Sequence, residues 1–191
     1  MSSVSLPKVL VLGHSFVKRL RFDINRGNIF RSSSDLGLAG HAFVSMFGVG
    51  GLTIPRLWKD HLRVVSRRAP DVIILELGTN DLSREEPELV ASSLEVLVRL
   101  LHDRFKVKVI CVCLVVPRLS NDVFNAKMAT FNELVQALFE PLPFVFCWRH
   151  RGFYGDNRPL SLHDGVHVTP VGQYRLYCSY RGAILRALTL I

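Results

Sequence analysis

Three residues far apart in the sequence are of the types that together carry out acyl transfer. Ser15 has a hydroxyl that becomes a nucleophile when a base removes its proton. Asp164 and His167 are three residues apart, so the carboxylate can bind one imidazole nitrogen while the other nitrogen acts as that base. Each residue also has an ordinary structural interpretation, because a serine that follows a strand often caps a helix. The combination indicates nucleophilic catalysis more strongly than any single residue.

Two further segments supply hydrogen-bond donors that suit an anion. The segment from Gly48 to Thr53 has the sequence GVGGLT and exposes backbone N–H groups that can hold an oxyanion or a phosphate. Asn80, in the GTND sequence that starts at Gly78, offers an amide N–H for developing negative charge. Both segments are also common turn sequences. Nucleotide binding is disfavoured because neither a Gly-Lys-Ser/Thr ending nor a G-x-G-x-x-G pattern is present.

These segments follow predicted β-strands, and the strands alternate with segments of helical period. This alternation is typical of βαβ units around a parallel sheet, where ligands bind outside the carboxyl ends of the strands. The predicted strands run from Lys8 to Leu12, Ala42 to Phe47, Asp71 to Leu77, Val107 to Val115 and Phe144 to Trp148. The best-defined predicted helices run from Pro87 to Phe105, Asn121 to Phe139 and Pro170 to Leu188.

Length and composition indicate one soluble domain. The chain has 191 residues, of which 49% are hydrophobic, so it can form one core and has little room for a second. We therefore expect a single domain over residues 1–191, with residues 1–7 flexible. The apolar stretch from Val9 to Val17 is far too short to span a membrane. A cytoplasmic, reducing location is expected.

The four cysteines show no metal-binding or redox spacing. No C-x-x-C pair occurs, and Cys111 and Cys113 lie two apart in an apolar run, where they share one strand face as small hydrophobic residues. Zinc is therefore disfavoured.

The chain is basic, with a formal net charge of +8. The basic residues are scattered singly or in pairs, which favours a diffuse basic surface, although an anionic partner or substrate remains an alternative. Binding to nucleic acid is expected to be weak, salt-sensitive and non-specific at most.

Ser15, the glycine segment, Asn80 and the Asp-x-x-His pair occur in the order that resembles the SGNH (GDSL-like) hydrolase family. The resemblance covers the chain from about Lys8 to the final helix. It implies an α/β fold, a flavodoxin-like α/β/α sandwich with a five-stranded parallel sheet of order 2-1-3-4-5, and no cofactor or metal. It also implies a Ser15, His167 and Asp164 triad that hydrolyses carboxylic esters or O-acetyl groups through an acyl-enzyme. The oxyanion hole would comprise the N–H groups of Ser15 and Gly51 and the Asn80 side chain, with Gly50 as the alternative to Gly51.

One position departs from the family pattern. The family usually has Gly-Asp-Ser where this chain has Gly13-His14-Ser15, and we expect the His14 side chain to leave a loop at the rim of the sheet and to contribute to substrate binding. A catalytically weakened scaffold that acts as a binding module, for nucleic acid or anionic ligands, is the alternative function.

The segment after the fifth predicted strand contains arginines that can favour an acidic or sugar substrate. These residues are Arg149, Arg151 and Arg158, although solvated loop arginines are the ordinary interpretation. The expected substrate is a small-molecule, lipid or sugar ester. The stretch from Asp164 to Leu188 also resembles SGNH-type domains encoded within retroelements of aquatic animals.

Overall fold

A computed structural model describes residues 5–29, 32–155, 160–162 and 164–191. Their centre is one five-stranded sheet in which every neighbouring pair of strands is parallel and the order is β2-β1-β3-β4-β5. The strands are β1 (Lys8–Gly13), β2 (Phe43–Gly48), β3 (Val72–Glu76), β4 (Val109–Cys113) and β5 (Val145–Trp148). The predicted architecture and strand order are confirmed.

The central strands are buried on both faces because they consist almost entirely of apolar residues. Every residue of β3 and of β4 is buried, as expected for strands covered by helices on both sides. Gly13 pairs with Gly48 of β2 and with Glu76 of β3, so three strands end at the same level. This shared edge brings the loops that follow β1, β2 and β3 together.

Helices cover the two faces of the sheet. Helices α1 (Ser15–Asn25) and α6 (Pro170–Leu188) contribute to one hydrophobic core, and α4 (Pro87–Asp103) and α5 (Asp122–Phe139) contribute to the other. Between β2 and β3 the chain forms α2 (Ile54–Arg56), a π-helical turn (Leu57–His61) and α3 (Arg63–Arg68).

Several predicted bounds differ from the observed ones by one or two residues. The fourth strand ends at Cys113 rather than Val115, because the Val115 N–H bonds to the Asn132 side chain instead of to β5. The final helix has the predicted bounds: Thr169 accepts a hydrogen bond from the Gly172 N–H, and Pro170 is its first residue.

Two other sequence predictions concern membrane spans and cysteines. Within the described part of the chain, no helix is both long and apolar enough to cross a membrane. All four cysteines are free, and Cys111 and Cys113 are buried in the same hydrophobic core.

Candidate active site

Ser15 is the first residue of α1 and stands directly beyond the end of β1. It is half-buried, and its backbone N–H forms no hydrogen bond to any residue that the structure describes. That N–H lies in the first turn of the helix, where the aligned peptide dipoles favour negative charge. The Ser15 hydroxyl therefore stands beside an available donor for an anion.

The loop after β2 packs against the Ser15 segment. The Val49 N–H donates to the Gly13 carbonyl oxygen at 3.0 Å. A β-carbon on Gly48 would lie 2.2 Å from the backbone nitrogen of Lys18, so only glycine permits this approach of β2 to α1. Gly50 and Gly51 follow at once, and their N–H groups bond to none of the described residues. Two further backbone donors are thus available next to Ser15.

Asn80 lies against the loop after β2, residues 49–53, which we call the glycine loop. Its Nδ2 donates to the Leu52 carbonyl oxygen at 2.9 Å, which leaves its second amide hydrogen available. The next residue, Asp81, accepts a hydrogen bond from the Ile54 N–H through Oδ1 at 2.9 Å. These two bonds join the loop after β3 to the loop after β2. Asp81, which the sequence suggested only as a turn residue, therefore holds the first residue of α2, directly after the glycine loop.

Asp164 and His167 form a directly bonded pair. Asp164 Oδ2 lies 2.6 Å from His167 Nδ1, and Oδ1 accepts hydrogen bonds from the backbone N–H groups of His167 at 2.8 Å and Val166 at 3.0 Å. The hydrogen bond from the His167 backbone and that from its ring hold the pKa of Asp164 well below its usual range. The carboxylate thus fixes the ring and leaves Nε2 to act as a base.

Backbone hydrogen bonds close the turn that carries this pair and fix its middle to the segment after β4. The Leu162 N–H donates to the His167 carbonyl oxygen at 2.7 Å, and the Leu119 N–H donates to the Gly165 carbonyl oxygen at 2.9 Å. In the described part of the chain, no hydrogen bond joins the Ser15 hydroxyl to the His167 ring. Catalytic hydrogen bonds are often long or poorly aligned before substrate binds, so the absence of this bond is compatible with general-base chemistry.

Residues 18–175 match the sequence model of the GDSL-like Lipase/Acylhydrolase family. The chain belongs to that family. The family resemblance drawn from the sequence is confirmed, and the chain is an acylhydrolase-type hydrolase. The matched region contains Gly51, Asn80, Asp164 and His167, and it begins three residues after Ser15. No curated protein sequence matches the chain.

Solved structures show the same fold. An acetyl esterase superimposes with a TM-score of 0.73 at 15% identity, covering 96% of this chain and 99% of that one. A carbohydrate esterase family 3 protein from Talaromyces cellulolyticus gives 0.73 at 16% identity, with 97% and 100% covered. A GDSL-like lipase from Bacteroides thetaiotaomicron gives 0.68 at 17% identity, with 95% and 89% covered. At these identities the likeness establishes the fold.

His14 of this GDSL-like protein differs from the expectation. Its side chain is only 2% exposed and points into the protein instead of leaving the rim. The Phe16 N–H donates to His14 Nδ1 at 3.4 Å, so the ring proton is on Nε2, which lies 3.5 Å from Glu76 Oε1. His14 therefore caps α1 and connects the Ser15 segment to a buried carboxylate, and it offers no surface to a substrate.

Glu76 is the centre of a buried polar network that the sequence did not reveal. Its side chain is 2% exposed, and Oε2 accepts hydrogen bonds from His150 Nε2 at 2.8 Å and from the Tyr180 hydroxyl at 2.9 Å. His150 Nδ1 in turn lies 2.8 Å from Ser179 Oγ. The only signal in the sequence was a charged residue within an otherwise apolar strand.

Glu76 and His150 form a buried ion pair. Burial alone would raise the pKa of Glu76, but His150 and the hydrogen bond from His14 hold it well below its usual range. Burial alone would lower the pKa of His150, but the Glu76 carboxylate outweighs it and raises that pKa to about 10. The network thus holds a carboxylate and an imidazolium next to the Ser15 segment.

Cys113 joins Glu76 and His150 in a group whose ligand atoms all lie within 4.8 Å of one another. A metal there would need the thiolate, yet burial raises the pKa of the Cys113 thiol well above its usual range. Both Glu76 oxygens already have imidazole or hydroxyl neighbours. The group fits a satisfied hydrogen-bond network better than a metal centre.

Arg149 and Arg151 are exposed beyond the end of β5. The Arg149 guanidinium stacks 4.1 Å above the Tyr154 ring, and both arginines line a cleft of about 560 Å³. Strand β5 is three strands from β1 in the sheet, and within the described residues no hydrogen bond or ring contact joins either arginine to Ser15. Arg158 lies outside the described residues.

Proposed function

We propose that this chain is a serine esterase that uses Ser15 as the nucleophile, His167 as the base and Asp164 as the residue that orients the base. The 2.6 Å contact between Asp164 and His167 carries the proposal, because it leaves one imidazole nitrogen available in a chain of the acylhydrolase family. The half-buried Ser15 at the start of α1 supports it.

The first half of the reaction forms an acyl-enzyme. The Ser15 hydroxyl oxygen attacks the ester carbonyl carbon while His167 Nε2 takes the hydroxyl proton. The carbonyl oxygen becomes an oxyanion, which the N–H groups of Ser15 and Gly51 and the Asn80 amide stabilise. The C–O bond to the alcohol then breaks, and His167 returns the proton to the departing alcohol oxygen.

The second half regenerates the enzyme. A water molecule attacks the acyl carbon while His167 takes one of its protons, and the same three donors hold the second oxyanion. The bond between the acyl carbon and the Ser15 oxygen breaks, and the serine oxygen recovers a proton from His167. The products are a carboxylic acid and an alcohol, and the substrates are carboxylic esters or O-acetyl groups.

Asn80→Ala is expected to lower kcat for 4-nitrophenyl acetate by roughly 10²- to 10³-fold with little change in KM. The reason is that the amide acts on a charge that develops only in the transition state. Steady-state hydrolysis measures both constants. Asn28→Ala removes an exposed amide whose only side-chain partner among the described residues is Asp23, and this control should retain full activity. A change in KM alone would make Asn80 a binding or turn residue.

Dialysis against EDTA is expected to leave the rate of 4-nitrophenyl acetate hydrolysis unchanged. The proposed reaction uses only hydroxyl, imidazole, carboxylate and amide groups, and none of these requires a metal. The initial rate before and after dialysis tests this. Loss of activity that added zinc or manganese restores would overturn the expectation.

A further inference from the structure

A cleft of about 710 Å³ lies between α1 and the start of α6, beside the candidate active site. Gly48, which immediately precedes the glycine loop, lines the cleft, and so does Val168, which immediately follows His167. Lys18 also lines it, and Lys18 Nζ lies 3.9 Å from the place that a β-carbon on Gly50 would occupy. The cleft therefore opens next to the loop to which we assign the oxyanion.

The α1 side of this cleft is strongly basic. Lys18, Arg19 and Arg21 line it, and among its described lining residues only Asp23 is acidic. Among the described residues, none of the three cations forms an ion pair with a carboxylate, and Arg21 makes only a long hydrogen bond of 3.5 Å to the Met46 carbonyl oxygen. Three positive charges are thus available to a ligand.

Gln173, on the α6 side, adds an unused amide. The residue is 3% exposed, and its Oε1 is buried without a hydrogen-bond partner among the described residues. A buried amide oxygen without a donor costs about 1 to 3 kcal/mol. Among the described residues no hydrogen bond fixes this carboxamide, so it can turn its NH₂ group toward a bound oxygen anion.

We infer that this cleft binds an anionic group, a carboxylate or a phosphate, carried by the ester substrate. The enzyme accordingly prefers anionic esters to neutral esters of the same size. This inference rests on the proposed esterase function and specifies its substrate class. Lys18 supplies the charge nearest to the reacting carbonyl, and Arg21 and Gln173 complete the site.

Two matched ester pairs test which part of the substrate carries the anion. The first pair compares mono-(4-nitrophenyl) glutarate, which carries the charge on the acyl side, with neutral 4-nitrophenyl pentanoate. The second pair compares 4-acetoxybenzoate, which carries the charge on the alcohol side, with its neutral methyl ester. The wild type should hydrolyse one anionic member with the higher kcat/KM. Because screening weakens exposed charge interactions, this preference should decline as sodium chloride rises from about 50 to 500 mM.

Variants that remove a positive charge from the cleft should lower one ratio: kcat/KM for the anionic ester divided by kcat/KM for its neutral partner. Lys18→Gln is expected to lower it about two- to fivefold, and Lys18→Gln with Arg21→Gln about tenfold. The control, Arg104→Gln, removes the same charge from the end of α4, which packs into the other core, and should leave the ratio unchanged. Circular dichroism checks that each variant is folded.

Binding of glutarate, measured by isothermal titration calorimetry, separates this inference from the proposed function. Weaker binding in Lys18→Gln but not in Arg104→Gln supports the anion site even if no ester is hydrolysed. The inference would be overturned, and the esterase function would stand, if esters are hydrolysed but neither salt nor Lys18→Gln alters the ratio of anionic to neutral kcat/KM. Glutarate binding would then also be equal in the two variants.

Discussion

Ser15→Ala is expected to lower kcat for 4-nitrophenyl acetate by roughly 10⁴- to 10⁶-fold, because loss of the nucleophile disables the whole triad. The variant lacks the atom that forms the acyl-enzyme, whereas the N–H donors and the Asp164–His167 pair stay in place. The residual rate should reflect only the remaining donors. Steady-state kinetics with a discontinuous assay for the slow variant measures this difference.

The matched control is Ser92→Ala, which removes an exposed hydroxyl from α4 and should retain the wild-type rate. Alanine is tolerated in both helices, so neither substitution should unfold the protein. A Ser15→Ala variant that is folded and keeps a tenth or more of the wild-type kcat would exclude Ser15 as the nucleophile.

Glu76→Gln is expected to destabilise the protein by about 3 to 5 kcal/mol, because it leaves the buried His150 without its carboxylate partner. For a chain of this length, that loss corresponds to a fall in Tm of roughly 10 °C. Urea unfolding followed by circular dichroism measures the difference. The amide has one acceptor oxygen where the carboxylate has two, so it cannot accept both from His14 on one side and from His150 and Tyr180 on the other, which adds to the cost.

The pH dependence of stability gives a second test of the buried ion pair between Glu76 and His150. The pKa of His150 is raised from 6.5 to about 10 in the folded state. Protonated His150 therefore contributes its full share of the free energy of unfolding below pH 6.5, and this contribution is lost as pH rises toward 10. We expect the urea midpoint of the wild type to fall over that window. Glu76→Gln should lose this His150-dependent decline.

Glu95→Gln is the matched control for Glu76→Gln. It breaks an exposed pair in which Glu95 lies 2.9 Å from Arg99, and exposed pairs contribute about 0 to 1 kcal/mol. Equal stabilities for the two variants would show that the Glu76 network contributes no more than a surface ion pair, and would contradict the stabilising role assigned to the buried pair.

The fold was predictable because its strongest signals are local. The apolar run of β3 is long enough to identify a central strand, and Thr169 with Pro170 marks the start of α6. The segment from Ile54 to Arg68 was not assigned, because its α-, π- and α-helical pieces give no single period. The predicted end of β4 was too late because the Val115 N–H donates to the Asn132 side chain and not to the neighbouring strand.

Only the local part of the candidate site could be suggested from the sequence. The Asp164–His167 contact spans three residues, so its spacing in the sequence was sufficient to suggest it. Glu76 and His150 are 74 residues apart, and Tyr180 is 104 residues from Glu76. Nothing in a single sequence joins residues at such separations. The burial of His14 was missed for the same reason, since its partner is Glu76.

The central claim, that Ser15 is the nucleophile, is tested most directly by a serine-directed fluorophosphonate. Intact-mass spectrometry of the treated protein should show one adduct, and peptide mapping should place it on Ser15. His167→Ala should react far more slowly, because the hydroxyl then lacks its base. An adduct on another serine, or the same labelling of Ser15→Ala as of the wild type, would contradict the claim.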